Sequence, residues 1–80
     1  MTTEQAFGIV LREIRVLIGI SQEELALKSG FHRTYISMLE RGLKNPSLTT
    51  IFRLCSALDT KPNELIILVS QKINLDPTNW

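Results

Sequence analysis

Hydrogen-bond donors suited to an anion crowd into one stretch of this 80-residue chain. They are the amide of Gln22, the guanidinium of Arg33, the hydroxyls of Thr34, Tyr35 and Ser37, and the ammonium of Lys44. The charges around them are segregated. Between Lys28 and Arg53 stand five basic residues (Lys28, Arg33, Arg41, Lys44, Arg53) against one acid, Glu40, a local balance of +4, while the remaining segments sum to −3. A net charge of +1 therefore hides a basic region that would attract phosphates, or would stand as a solvated basic face. Catalytic chemistry has little to work with. One histidine, His32, and one cysteine, Cys55, face no paired carboxylates beyond ordinary helical charge patterns, and no Gly-rich loop follows a strand. The chain does not read as an enzyme, and nothing in it calls for a cofactor or a metal. Cys55, spaced with Ile51, Phe52 and Leu58, reads as a buried structural thiol compatible with a reducing compartment.

These donors need elements to hold them. Ser21 followed three residues later by Glu24 is a capping box, and Ile20 and Leu25 can pack as a hydrophobic staple across it. A short helix should run from about Gln22 to Ser29, closed by Gly30 in the left-handed conformation. A second, from about Arg33 to Arg41, should be closed by Gly42. Two short helices around a Gly-containing turn give helix-turn-helix geometry.

The other segments are helical too; none alternates with the period of two expected for strands. A first helix should start at Thr2 or Thr3, with Thr2 and Gln5 as a possible capping box, and stop at Gly19. It would turn Phe7, Val10, Leu11, Ile14, Leu17 and Ile18 inward. A fourth should start on Ser47 and turn Leu48, Ile51, Phe52, Cys55 and Leu58 inward, and a fifth should take Pro62 at its first position. The expectation is an all-α, compact five-helix fold: one domain over residues 1–74 and a frayed tail over 75–80. So small a domain buries a modest fraction of its surface, and a folded monomer would be marginal. The run Leu65-Ile66-Ile67-Leu68-Val69 covers the whole circumference of the fifth helix. Leu65 and Leu68 are expected in the core. Ile66, Val69 and Ile73 would then form a second apolar stripe, facing a twofold-related copy unless the helix is simply over-hydrophobic. This run is far too short to cross a bilayer and no signal peptide is visible, so the chain reads as soluble and cytoplasmic.

From about Val10 to Leu68 the chain resembles the Xre-type helix-turn-helix family, which includes the lambdoid phage repressors. The resemblance rests on Ser21-Gln22-Glu23-Glu24-Leu25-Ala26, Ser29-Gly30, Arg33-Thr34-Tyr35-Ile36-Ser37, Asn45-Pro46-Ser47-Leu48 and Pro62-Asn63-Glu64-Leu65. Within the family, Arg33 to Ser37 with Glu40-Arg41-Gly42 is most similar to the controller proteins of restriction–modification systems. The resemblance implies a dimeric, sequence-specific regulator of transcription that binds a near-palindromic stretch of double-stranded DNA, and the apolar stripe of helix five would join the two copies. An antitoxin or a protein-interaction adaptor with the same fold is the alternative. Activation, where it occurs, would use a surface presented to RNA polymerase.

By the same resemblance helix three lies in the major groove, with Arg33, Thr34, Ser37 and Met38 facing base edges. Arg33 could pair with a guanine or contact a phosphate. Met38 departs from the family, which often has a polar or small residue there. Tyr35 would stack beside a base step, bond a phosphate or pack internally. Gln22 would bond a phosphate and brace helix three; Lys44, Asn45 and Ser47 would reach the next phosphates. Arg41 and His32 would contact the backbone or stand in solvent. Arg15 and Glu40 match a structural ion pair. Asp59-Thr60-Lys61 departs from the family turn, which leaves Asp59 to adopt positive φ and Thr60 to cap helix five.

Overall fold

Three of the five helices start on a hydroxyl. In the computed structural model, which describes residues 1–74, these are α1 (Thr3–Ile18), α2 (Gln22–Ser29) and α4 (Leu48–Ala57), capped by Thr2, Ser21 and Ser47. Thr2 with Gln5 and Ser21 with Glu24 form complete capping boxes. The other two helices are α3 (Arg33–Glu40) and α5 (Pro62–Ile73), and no strand occurs among the described residues. Gly30 closes α2 at φ 78°, so α3 begins after only a short turn. Asp59 supplies the positive φ (50°) that the turn before α5 requires. Thr60 does not cap α5. Its hydroxyl donates to the Leu58 carbonyl, and Lys61 takes the cap position with no side-chain bond. The expected frayed tail lies outside the described residues.

Leu11, Leu25, Ile36, Leu39, Leu54 and Leu65, drawn from all five helices, are fully buried in one core. Each such side chain contributes about 1.5–3 kcal/mol. α1 packs on α3 and α5, α2 on α3 and α4, and α4 on α5. Several expected core positions lie outside. Leu17 is 87% exposed, and Val16 and Ile18 are exposed with it, so the last turn of α1 projects past the helices that cover the rest. On α4 the inward arc runs through Thr50, Leu54, Cys55 and Leu58, leaving Leu48 and Phe52 outside. Thr50 can be buried because Ser47 donates to its hydroxyl at 3.0 Å. Burial also raises the pKa of the Cys55 thiol, which suits an inert packing group.

α5 turns Leu65, Val69 and Ile73 inward, spaced four residues apart. This corrects the expected dimer stripe. Val69 and Ile73 are only 6% and 7% exposed in the chain's own core, whereas Ile66, Ile67 and Leu68 are exposed. The continuous apolar run left the phase of the helix open, and packing on α1 and α4 fixed it.

Two close approaches lock α3 to its neighbours. A Cβ on Gly8 of α1 would stand 2.4 Å from the Leu39 carbonyl oxygen and 2.6 Å from that of Glu40, so only glycine allows the end of α3 to rest there. Arg15 of α1 donates from Nε and Nη2 to both oxygens of Glu40 at 2.6 and 3.0 Å, and from Nη1 to the Ile20 carbonyl at 2.9 Å. Gln22 of α2 donates to the same carboxylate at 3.0 Å. The two charged side chains are 11% and 3% exposed, and the bonded carboxylate raises the pKa of Arg15 against a lowering by burial.

Two stability predictions follow from these contacts. Alanine at position 8 would gain about 0.5–1 kcal/mol of helix propensity, but the carbonyl clash costs about 1–3 kcal/mol, so Gly8→Ala should lower the urea midpoint. An unchanged or raised midpoint would show that α3 can shift freely. Glu40→Gln strands the Arg15 charge and should cost about 3 kcal/mol. The paired Arg15→Met, Glu40→Leu variant, with neither charge left, should be the more stable of the two in the same titration.

Candidate nucleic-acid interface

Ile36 and Leu39 bury one side of α3, so the opposite side is free to meet a ligand. Thr34, Ser37, Met38 and Arg41, spaced i, i+3, i+4 and i+7, form that outward stripe. Thr34 and Arg41 are exposed; Ser37 and Met38 are half-buried at its base. Arg33 stands beside the stripe in the first turn, exposed like Thr34, and neither side chain bonds another described residue. Arg41 leans back along the helix, its Nε 3.4 Å from the Ser37 carbonyl.

Around the stripe lie the other expected contacts. Gln22, at the first position of α2, spends one amide proton on Glu40 and keeps its other proton and its carbonyl. Lys44 and Asn45 are exposed in the loop after α3 and bond no other described side chain. His32 is exposed at the start of α3 and makes no capping bond. Ser47 is exposed but its hydroxyl is spent on α4, accepting from the Thr50 amide and donating to the Thr50 hydroxyl. Tyr35 is half-buried against the core, its ring 5.1 Å from that of Phe31, so internal packing describes its ring.

Arg53 behaves differently from the rest of the basic cluster. Its Nε and Nη2 donate to the Ser29 carbonyl at 3.2 and 2.8 Å, and its guanidinium lies 4.0 Å over the Phe31 ring. Arg53 is exposed like Lys28, Arg33, Arg41 and Lys44, but its guanidinium is committed to α2 and Phe31. Sequence reasoning passed over Phe31 and the use of Arg53; a contact across 24 residues leaves no periodic signal. Among the described residues no group of His, Cys, Asp and Glu could hold a metal ion, and no helix is long and apolar enough to cross a membrane. The surface offers hydroxyls, an amide and cations to an extended anion.

Residues 11–65 match the helix-turn-helix family. The control protein C.BamHI of Bacillus amyloliquefaciens is 44% identical over 61 residues, covering 75% of this chain and 75% of that protein. The crystal structure of the restriction–modification controller protein C.AhdI from Aeromonas hydrophila is 48% identical with a TM-score of 0.76, over 78% of this chain and 94% of that one. The clp gene regulator ClgR from Corynebacterium glutamicum superposes with a TM-score of 0.89 at 30% identity, over 95% of this chain and 99% of that one. The matched segment spans the whole outward stripe together with Arg15, Gln22 and Glu40, and this chain belongs to the Xre-type helix-turn-helix family of DNA-binding transcriptional regulators.

Proposed function

We propose that the chain is a controller-type regulator that binds a near-palindromic operator as a homodimer, with α3 of each subunit in the major groove. The observation that carries this reading is the outward side of α3, where Arg33 and Thr34 bond no other described residue while the inner side of the helix is locked by Gly8, Arg15 and Gln22. Arg33 and Thr34, on the first turn, face base edges, with Ser37 and Met38 one turn on. Arg33 offers two donors to the O6 and N7 of a guanine, and the apolar Met38 suits a thymine methyl. Gln22, with the free amides of the α2 N-terminus, and Lys44 and Asn45 hold the backbone on either side. Arg41 and His32 add charge or donors at the edge. Ser47 contributes the amides of the α4 start rather than its hydroxyl. Half-sites would be centred about 34 Å apart on one face of the duplex. Such a protein works in the cytoplasm, where that DNA lies, and where it activates transcription it would do so through a surface presented to RNA polymerase.

The dimer contact we assign to the α4/α5 face. Phe52 and Pro62 line one surface depression, Ile66 stands one turn after Pro62, and Leu48 one turn before Phe52. Leu48, Phe52 and Ile66 are exposed apolar side chains of the kind a twofold contact buries. In this reading Ile66 belongs to the interface, while Val69 and Ile73 lie in the chain's own core.

Arg33→Ala should weaken specific binding and relax preference at one base pair of each half-site, by about 1–3 kcal/mol of discrimination. Lys44→Ala should weaken all duplexes alike and make the salt dependence shallower by about one unit per subunit. Titrations against operators substituted at each position, over a series of salt concentrations, separate the two; a uniform loss for Arg33→Ala reassigns it to phosphate. Ile66→Asp should give a folded monomer by sedimentation at micromolar concentration, since the residue is exposed within one subunit. A dimeric variant would move the interface to the opposite flank of α5, where Leu17 and Leu68 lie.

A further inference from the structure

α3 is fastened at its end by Glu40, but its start has no local anchor. Among the described residues it is the one helix that begins with neither a capping side chain nor a proline. Its first turn nevertheless has to hold Arg33 and Thr34 in place. The geometry points to Arg53 of α4 as a positioning residue for that turn, acting through Phe31 and Tyr35.

The first link is the Ser29 carbonyl, in the last turn of α2, where helix carbonyls have no partner within the helix. Arg53 donates to it from two nitrogens, at 3.2 and 2.8 Å, and so closes α2 from another element with the positive charge that the helix C-terminus favours. The second link is the guanidinium plane, 4.0 Å from the centre of the Phe31 ring, within cation–π range. The third is the contact of that ring with Tyr35, 5.1 Å between centroids and tilted by 53°. Tyr35 is the third residue of α3, on the same turn as Arg33 and Thr34. Gly30 leaves the room. A Cβ there would stand 2.7 Å from Nη2 of Arg53, so the guanidinium fills the space a side chain would take. A fork that bonds with its edge while it stacks with its face requires arginine; a lysine ammonium can keep the charge but cannot do both.

The inference deepens the reading of α3 as the base-reading helix, and rests on it for its effect on DNA. Arg53→Lys, which keeps the charge, is the test variant, with Phe31→Leu as a second that keeps the apolar bulk. In the free protein, amide resonances of His32 to Ile36 should move while those of α1 and α5 stay. With DNA, the ratio of affinity for a selected operator to that for random duplex should fall by about tenfold, with the salt slope unchanged. Phe31→Leu should give the same pattern, and the double variant should lose no more than either alone. Amides that do not move, or a ratio that holds when binding is normalised to folded protein, would overturn the inference. So would Arg53→Ala weakening all duplexes equally with a shallower slope while Arg53→Lys behaves as wild type, the signature of a phosphate contact. A wild-type protein that prefers no sequence would instead sink the base-reading role of α3, and the amide shifts would still decide the link from Arg53 to its first turn.

Discussion

The Glu40 carboxylate is the interaction on which the arrangement of this domain depends. It sits in the last turn of α3, where a negative charge opposes the helix dipole at a cost of about 0.3–1 kcal/mol. Two hydrogen bonds from Arg15 and one from Gln22 offset this several times over, at about 1.5–3 kcal/mol for each bond to a charged group. The carboxylate thereby ties α3 to α1 and α2 at once. Because the side chain is almost wholly buried, neither partner can be lost without stranding a charge. The same close approach demands Gly8, whose missing side chain lets the carbonyls of Leu39 and Glu40 lie against α1.

α3 depends on such ties because it is short. Eight residues make too few hydrogen bonds to be stable alone, so the conformation of its outer face is set by what its inner face and its ends touch. Ile36 and Leu39 anchor the inner face in the core, Glu40 fixes one end, and the ring of Tyr35 packs beside Phe31 at the other. Every strong contact is thus made on the side away from Thr34 and Arg41. Arg33, Thr34 and Lys44 keep their donors for a ligand, and Arg41 is exposed beside them.

The surplus apolar surface is divided in a comparable way. Ile66 and Leu68, two residues apart and hence about 200° apart around α5, stand on opposite flanks of the helix. Leu68 faces Leu17 and Ile14 across a groove toward α1, while Ile66 shares its flank with the surface of Phe52 and Pro62. A twofold contact uses one self-complementary patch, and the flank toward α4 is the one whose apolar residues stand on α4 and α5 together.

By itself the sequence determined the elements and their ends. Thr2, Ser21 and Ser47 start helices, Gly19 and Gly30 stop them, Asp59 makes the turn before α5, and Arg33 to Ser37 mark the family. These are legible because capping and turn chemistry act over three or four residues and leave a fixed spacing. Rotational phase was not. Leu17, Phe52 and Leu68 are as apolar as the side chains that replace them inside, so periodicity alone placed them in the core, and the run from Leu65 to Val69 carried no phase at all. Which side of a helix is covered depends on where its neighbours end, and that is settled only when all five pack. The same holds for the polar contacts. Arg53 counts as one more cation in a basic stretch until packing brings the Ser29 carbonyl and the Phe31 ring within its reach, across a separation in sequence that no local pattern records.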